Sequence, residues 1–233
     1  MYMNSMKMPI RLLLLLLIFF SYAEAGAQKL QVDSLERVLE EHRTDDTVKV
    51  NLINKIARAL NIKDPKKSRS YTEQSRKLSK QLNYPEGEAV SLWITGLSYN
   101  LTDKKKAISL FEEALVIARK IGYKSGICQY LLRIGMSKNA LGDVEQGEVY
   151  LKEASQMAEE LKDNKLNALI LFNLSQVQTR LGDYTKAIEQ LQKLIRIGDE
   201  VDSKKMISLA YGQMGYIYNR QASYPIALEY YLH

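Results

Sequence analysis

Apolar residues recur through most of this chain in steps of three and four. Phe111, Ala114, Leu115 and Ala118 form one such stripe, Leu151, Ala154, Met157, Ala158 and Leu161 a second, and Ile188, Leu191, Leu194 and Ile195 a third. That spacing puts each set on one face of a helix, with charged residues on the other. Over the helical period lies a longer one. Small residues return at Ala57, Gly96, Gly135, Ser175 and Gly215, with spacings of 39, 39, 40 and 40. A second ladder, Ser68, Ala107, Gly147, Ala187 and Ala227, follows 11 or 12 residues behind the first. Seven residues after most of these come Ser75, Ala114, Ala154 and Leu194. Registered small residues let helix backbones approach closely, so the pattern predicts stacked helix pairs, with the apolar stripes as their packing surfaces.

The turn chemistry repeats in step. Asp64-Pro65, Thr102-Asp103, Gly142-Asp143, Gly182-Asp183 and Ala222-Ser223 fall between the two helices of successive pairs. There a Gly closes one helix in a left-handed conformation, and the Asp, Thr or Ser caps the next. Pro65 suits a first helical position, where a missing N–H costs nothing. Between pairs come Asn83 to Gly87, Gly122 to Gly126, Lys162 to Asn164 and Val201 to Ser203. Connections this short make neighbouring helices antiparallel and leave no interdomain linker. The expected organisation is one solenoid over residues 46–233, in repeats 46–84, 85–123, 124–163, 164–203 and an incomplete 204–233. Ahead of it, residues 28–45 read as a leading amphipathic helix, with Leu30, Leu35, Val38 and Leu39 on the face that caps the first repeat.

Residues 1–27 read as a secretory signal peptide. Lys7 and Arg11 precede an uncharged, leucine-rich stretch from Leu12 to Ala23, and small residues follow. As a helix that stretch covers roughly 18 Å, short against a hydrocarbon core of about 30 Å. Ala23-Glu24-Ala25 and Ala25-Gly26-Ala27 both fit the cleavage pattern, and cut after Ala27 the mature chain starts at Gln28. The expected location is exported, periplasmic or envelope-associated, with a membrane attachment only through an anchor beyond His233.

Removing residues 1–27 lowers the formal charge from +6 to +5. The basic residues cluster at helix junctions, as at Lys104 to Lys106, and form no continuous stripe, which argues against nucleic acid as a partner. Cys128 is the single cysteine, set among apolar neighbours where it reads as a small buried residue. His42 and His233 are the two histidines, and neither has a partner at metal-ligand spacing. No phosphate loop or nucleophile-base set stands out, so no catalytic residue, cofactor or metal is expected.

The segments LGDYTKAIEQL (181–191), LGDVEQGEVYL (141–151) and ASYPIALEYYL (222–232) resemble the tetratricopeptide repeat in its variety of about 40 residues. Tyr99 and Tyr218 match the aromatic that follows the family's mid-helix Gly by three. Ala57 and Ser68 depart from the pattern, and the first two repeats lack a Gly-Asp turn. The resemblance implies an all-α, right-handed superhelical solenoid of antiparallel helix pairs. Export together with such repeats resembles the N-terminal sensing region of bacterial histidine kinases and related signalling proteins.

In this family the first helix of each pair lines the concave face. Carried over to the anchors, the positions three before and one after are Asn54 and Arg58, Trp93 and Leu97, Leu132 and Met136, Phe172 and Gln176, Gly212 and Tyr216. One turn on come Asn61, Asn100, Asn139, Thr179 and Asn219. Amides there would hold a peptide backbone while Trp93, Phe172 and Met136 take its apolar side chains. On this basis Trp93→Ala is expected to weaken partner binding more than it lowers the melting temperature. The family's acidic-tail clamp needs groove cations, and only Arg58, Arg180 and Arg220 offer themselves by this alignment, which argues against such a clamp here. The expected function is a non-catalytic exported scaffold binding a peptide or protein, the sensing or interaction part of a signalling protein. The alternative is the N-terminal fragment of a membrane-bound histidine kinase or transcriptional regulator whose output domain is missing.

Overall fold

A computed structural model describes residues 30–233 of the chain, so the proposed signal peptide and its cleavage sites lie outside the described residues. The described residues form eleven helices and no strands. After α1 (30–41) they run α2 (Thr47–Leu60), α3 (Pro65–Gln81), α4 (Pro85–Tyr99), α5 (Lys104–Lys120), α6 (Lys124–Leu141), α7 (Val144–Leu161), α8 (Asn164–Leu181), α9 (Tyr184–Glu200), α10 (Lys204–Arg220) and α11 (Tyr224–Tyr231). From α2 onward each helix packs on the next, building a solenoid of helix pairs.

Local chemistry sets the helix ends. Asp46, Asp64, Asp103, Asp163 and Asp183 each accept the backbone N–H three residues on, at 2.9 to 3.2 Å. Gly142 and Gly182 end α6 and α8 in the left-handed region, with φ of 91° and 80°. The fifth pair has Ala222 at the same place, held at φ 57° without a glycine's freedom.

Both ladders lie where the helices touch. Ala57, Ala107, Ala114, Ala154, Ser175 and Ala187 are fully buried. A Cβ added to Gly96 would sit 2.5 Å from the Phe111 ring, and one on Gly135 would meet Gly147 O at 3.0 Å. In the first pair Ser68 replaces the usual alanine by donating its hydroxyl to Ala57 O at 2.7 Å. The hydroxyl therefore costs the interface no unsatisfied polar group. Around these contacts runs an apolar core including Phe111, Leu131, Ile134, Leu151, Ile170 and Leu191, each side chain worth about 1.5–3 kcal/mol when fully buried.

The leading helix packs through part of the face the stripe suggested, keeping Leu35 and Leu39 and adding Val32. Val32 is buried and Leu39 joins Val50, Ile53 and Leu78, while Leu30 and Val38 are exposed. A polar anchor turns the helix this way. Glu36 accepts from Tyr71 Oη at 2.7 Å and pairs with Lys67 at 2.8 Å, and the Lys67 hydrogen bond holds its carboxyl below the usual range.

First helices of successive pairs touch one another, α2 with α4, α4 with α6, α6 with α8 and α8 with α10. Second helices are not packed backbone to backbone and are bridged by long side chains instead, Arg76 of α3 to Glu113 of α5 and Arg119 of α5 to Glu153 of α7, each at 2.6 Å. The stack therefore curves toward the first helices, which form its concave side, and fans out along α3, α5, α7 and α9.

Candidate functional site: the concave groove

Arg58 of α2, Trp93 of α4, Gln129, Leu132 and Arg133 of α6, and Lys165, Leu166 and Leu169 of α8 line a groove of about 390 Å³, closed at one side by Asp163. A second hollow of about 300 Å³ continues from it, sharing Lys165 and Leu169 and adding Phe172, Lys205, Met206 and Leu209. Together they cross the inner face from the first pair to the fifth.

Its floor is apolar and its walls are cationic. Arg58 stands over Trp93 with its guanidinium carbon 5.0 Å from the ring centroid, a cation–π contact. Arg133 is half-buried beside it. Burial first, and the nearby Arg58 charge second, make its protonated form less favourable than usual. Arg58, Arg133, Lys165 and Lys205 form no ion pair with any described residue. The carboxylate within the groove, Asp163, is engaged in capping α8 through the Leu166 N–H at 3.0 Å. An incoming anion would thus meet cations whose mutual repulsion it relieves.

Of the residues the alignment nominated, the structure brings Arg58, Trp93 and Leu132 together in the first hollow and places Phe172 in the second. Trp93 and Leu132 are 5% and 2% exposed, so each belongs to the core at least as much as to the surface. Leu97 and Met136 are partly buried against that core, and Gln176 is half-buried. Tyr216 and Asn219 are exposed near the end of α10, where the Tyr216 hydroxyl meets Arg220 at 3.4 Å.

The polar candidates mostly hold the solenoid together. Asn54 is buried and its amide donates to Gly87 O of the next pair at 3.2 Å. Asn100 Oδ1 accepts from Ser137 Oγ at 3.1 Å, and Asn139 Oδ1 accepts from Arg180 at 2.6 Å, in each case from the following repeat. Thr179 is buried and donates to Ser175 O in its own helix at 2.7 Å. At Asn100 and Asn139 the recurring asparagine thus serves as a staple between neighbouring repeats.

Gln129, Arg133, Lys165, Leu166 and Leu169 escaped the sequence alignment. Gln129 and Leu169 sit six residues before their anchors, one further turn along the stripe that includes Leu132 and Phe172. Extending the inner stripe toward the helix N-termini would have found them. Cys128, though adjacent in sequence, is buried and donates to Ala154 O at 3.3 Å. Burial pushes its thiol up to about 12, so it stays protonated and unreactive at neutral pH. Among the described residues no group of three or more His, Cys, Asp or Glu side chains is placed to hold a metal ion. Nor is any described helix long and apolar enough to cross a membrane.

Curvature toward the first helix of each pair, small residues at the crossings and a groove along the inner face define a tetratricopeptide repeat solenoid. Residues 126–200 match the family model for the tetratricopeptide repeat, and residues 70–131 match that for anaphase-promoting complex subunit 5. No curated protein matches the chain in sequence. Among solved structures, BtubC (BKLC) from P. vanneervenii superposes with a TM-score of 0.76 at 19% identity, over 88% of each chain. A Rap protein complexed with Competence and Sporulation Factor superposes at 0.67 with 17% identity, over 91% of this chain and 70% of that one. NprR in complex with its cognate peptide NprX gives 0.63 at 17% identity, over 88% of this chain and 65% of that one. Likeness at these identities speaks for the fold.

Proposed function

We propose that this chain is a non-catalytic scaffold whose concave groove holds an extended peptide or protein segment with an acidic side chain next to an apolar one. The observation that carries the reading is the set of cations without carboxylate partners, Arg58, Arg133 and Lys165, around the apolar surface of Leu132 and Leu169. Leu132 and Leu169 offer contact to an aliphatic or aromatic side chain. The arginines offer forked donors to a carboxylate, and each charge-assisted bond in a partly desolvated site contributes about 1.5–3 kcal/mol. Support also comes from the fold, since NprR has been solved with a peptide and a Rap protein with its factor.

Labelled dodecapeptides in which an Asp or Glu adjoins Leu or Phe are expected to bind, as read by fluorescence anisotropy, and Lys replacements of the acidic residue to lose binding. Arg58→Ala combined with Arg133→Ala should weaken the acidic peptides about tenfold or more, a loss of about 1.4 kcal/mol or greater. Equal affinity of the double variant, or a preference for basic peptides, would overturn the assignment.

The proposal includes export, and with it a role as the sensing or interaction part of a signalling protein. Its support is the charged, apolar and small-residue order of residues 1–27. N-terminal sequencing of the protein recovered from its native envelope should begin at Gln28. An intact Met1 on protein confined to the cytoplasm would refute it.

A further inference from the structure

Because second helices fan apart, α3 and α5 are bridged by the Arg76–Glu113 ion pair instead of packing together, and α4 floors a cavity of about 380 Å³ between them on the side opposite the peptide groove. Tyr99, at the end of α4, is bracketed there by two cations. The Arg69 guanidinium carbon lies 4.8 Å and the Lys106 ammonium 4.1 Å from its ring centroid. Arg69 also donates to Ser98 Oγ at 3.4 Å, but neither cation forms an ion pair with a described residue. The contrast with Arg76 in the same wall is informative, for it is held by Glu88 at 3.3 Å and Glu113 at 2.6 Å. Glu73, the acidic side chain lining the cavity, is exposed and pairs with neither Arg69 nor Lys106.

Packing alone does not call for this arrangement. At the position of Arg69 the second and fourth repeats have Ile108 and Ile188, which serve the core. At the position of Tyr99 the third, fourth and fifth repeats have partners already in place: Lys138 pairs with Asp143 at 3.5 Å, buried Gln178 donates to Glu148 at 3.2 Å, and Tyr218 stacks on Tyr230 at 5.3 Å. Here alone among them an aromatic ring lies between two cations that lack carboxylates, beside the hydroxyls of Thr72 and Thr95.

We infer that this outer cavity binds a small phosphate monoester, with Arg69 and Lys106 sharing its dianion. Two positive charges match the two negative charges of a phosphate monoester near neutral pH, and a guanidinium fork beside an ammonium suits its oxygens. The volume falls within the usual range for small-molecule sites, and partly exposed Leu110 gives an organic body apolar contact. This site is separate from the peptide groove and does not depend on it.

The test is isothermal titration of the mature chain at low ionic strength with glycerol 3-phosphate, inorganic phosphate and succinate. Saturable binding is expected for the phosphate ester, with inorganic phosphate weaker because it lacks the organic body. Succinate, a dianion without a phosphoryl group, should bind about tenfold more weakly or not at all. Inorganic phosphate as tight as the ester would overturn the monoester assignment, and succinate as tight as either would overturn the phosphate class. Arg69→Gln with Lys106→Gln should weaken the ester about tenfold or more, while Arg58→Ala with Arg133→Ala leaves it unchanged. In the unaltered chain, glycerol 3-phosphate should also protect Arg69 from phenylglyoxal. Absence of saturable binding by the unaltered chain, or of protection at Arg69, overturns the proposal even if the double variant fails to fold.

Discussion

Trp93→Ala should lower the melting temperature by about 10 °C or more. The indole is 5% exposed, packs 6.0 Å from Tyr130 between ring centroids and lies in the central core cluster with Leu92, Phe111 and Leu131. Truncating a buried tryptophan costs about 3–5 kcal/mol through lost apolar contact and the cavity left behind. At about 2–4 °C per kcal/mol for a domain of this size, the shift is large and readable by differential scanning calorimetry. The sequence alone suggested the reverse, a binding loss with stability preserved, because Trp93 occupies an inward-facing position of its helix. Burial makes it a floor residue whose upper surface holds Arg58, so its removal damages fold and groove together. A melting temperature within about 2 °C of the unaltered chain would show that Trp93 does not brace the core.

Gly135→Val should be comparably damaging, for a different reason. Here the α6 and α7 backbones themselves meet: a Cβ at Gly135 would lie 2.7 Å from Leu151 Cγ and 3.0 Å from Gly147 O. Leucine could shift, but the carbonyl belongs to the facing helix, so a branched side chain must push two backbones apart. Overpacking of this kind costs about 1–3 kcal/mol and occasionally more, and separation of the pair would add lost core contact. We expect a drop of about 5–10 °C. Gly212 supplies the control, since a Cβ there meets nothing within 4 Å. Gly212→Ala in the middle of α10 should hold or raise the melting temperature, by up to about 1 kcal/mol of helix propensity. Equal effects at Gly135 and Gly212 would mean that the ladder does not mark helix crossings.

The fold was legible because it rests on a repeated local rule. A small residue at each crossing and a capping residue at each turn leave a one-dimensional trace, and Gly96 against Phe111 or Asp103 capping α5 shows why each was needed. The groove was less legible because facing a concave surface and facing a neighbouring helix use the same helical period. Asn54 and Thr179 lie on the inner stripe by spacing yet are buried, with hydrogen bonds to protein backbone. Arg133, one residue off the alignment, reaches the groove because the face of α6 turned to it also includes Gln129 and Leu132. Ion pairing, which decides whether an arginine is available to a ligand, depends on residues some 40 positions away, as with Arg76 and Glu113. No single repeat contains that information.

The direct test of the concave groove is site-specific photo-cross-linking. A photoreactive residue at Gln129 samples the groove, and one at Val116 samples the exposed face of α5. With an acidic–apolar dodecapeptide that binds the chain, labelling should occur from position 129, be absent from 116 and disappear in the Arg58→Ala, Arg133→Ala background. Labelling from 116 alone, or labelling from 129 that survives loss of both arginines, would contradict the account.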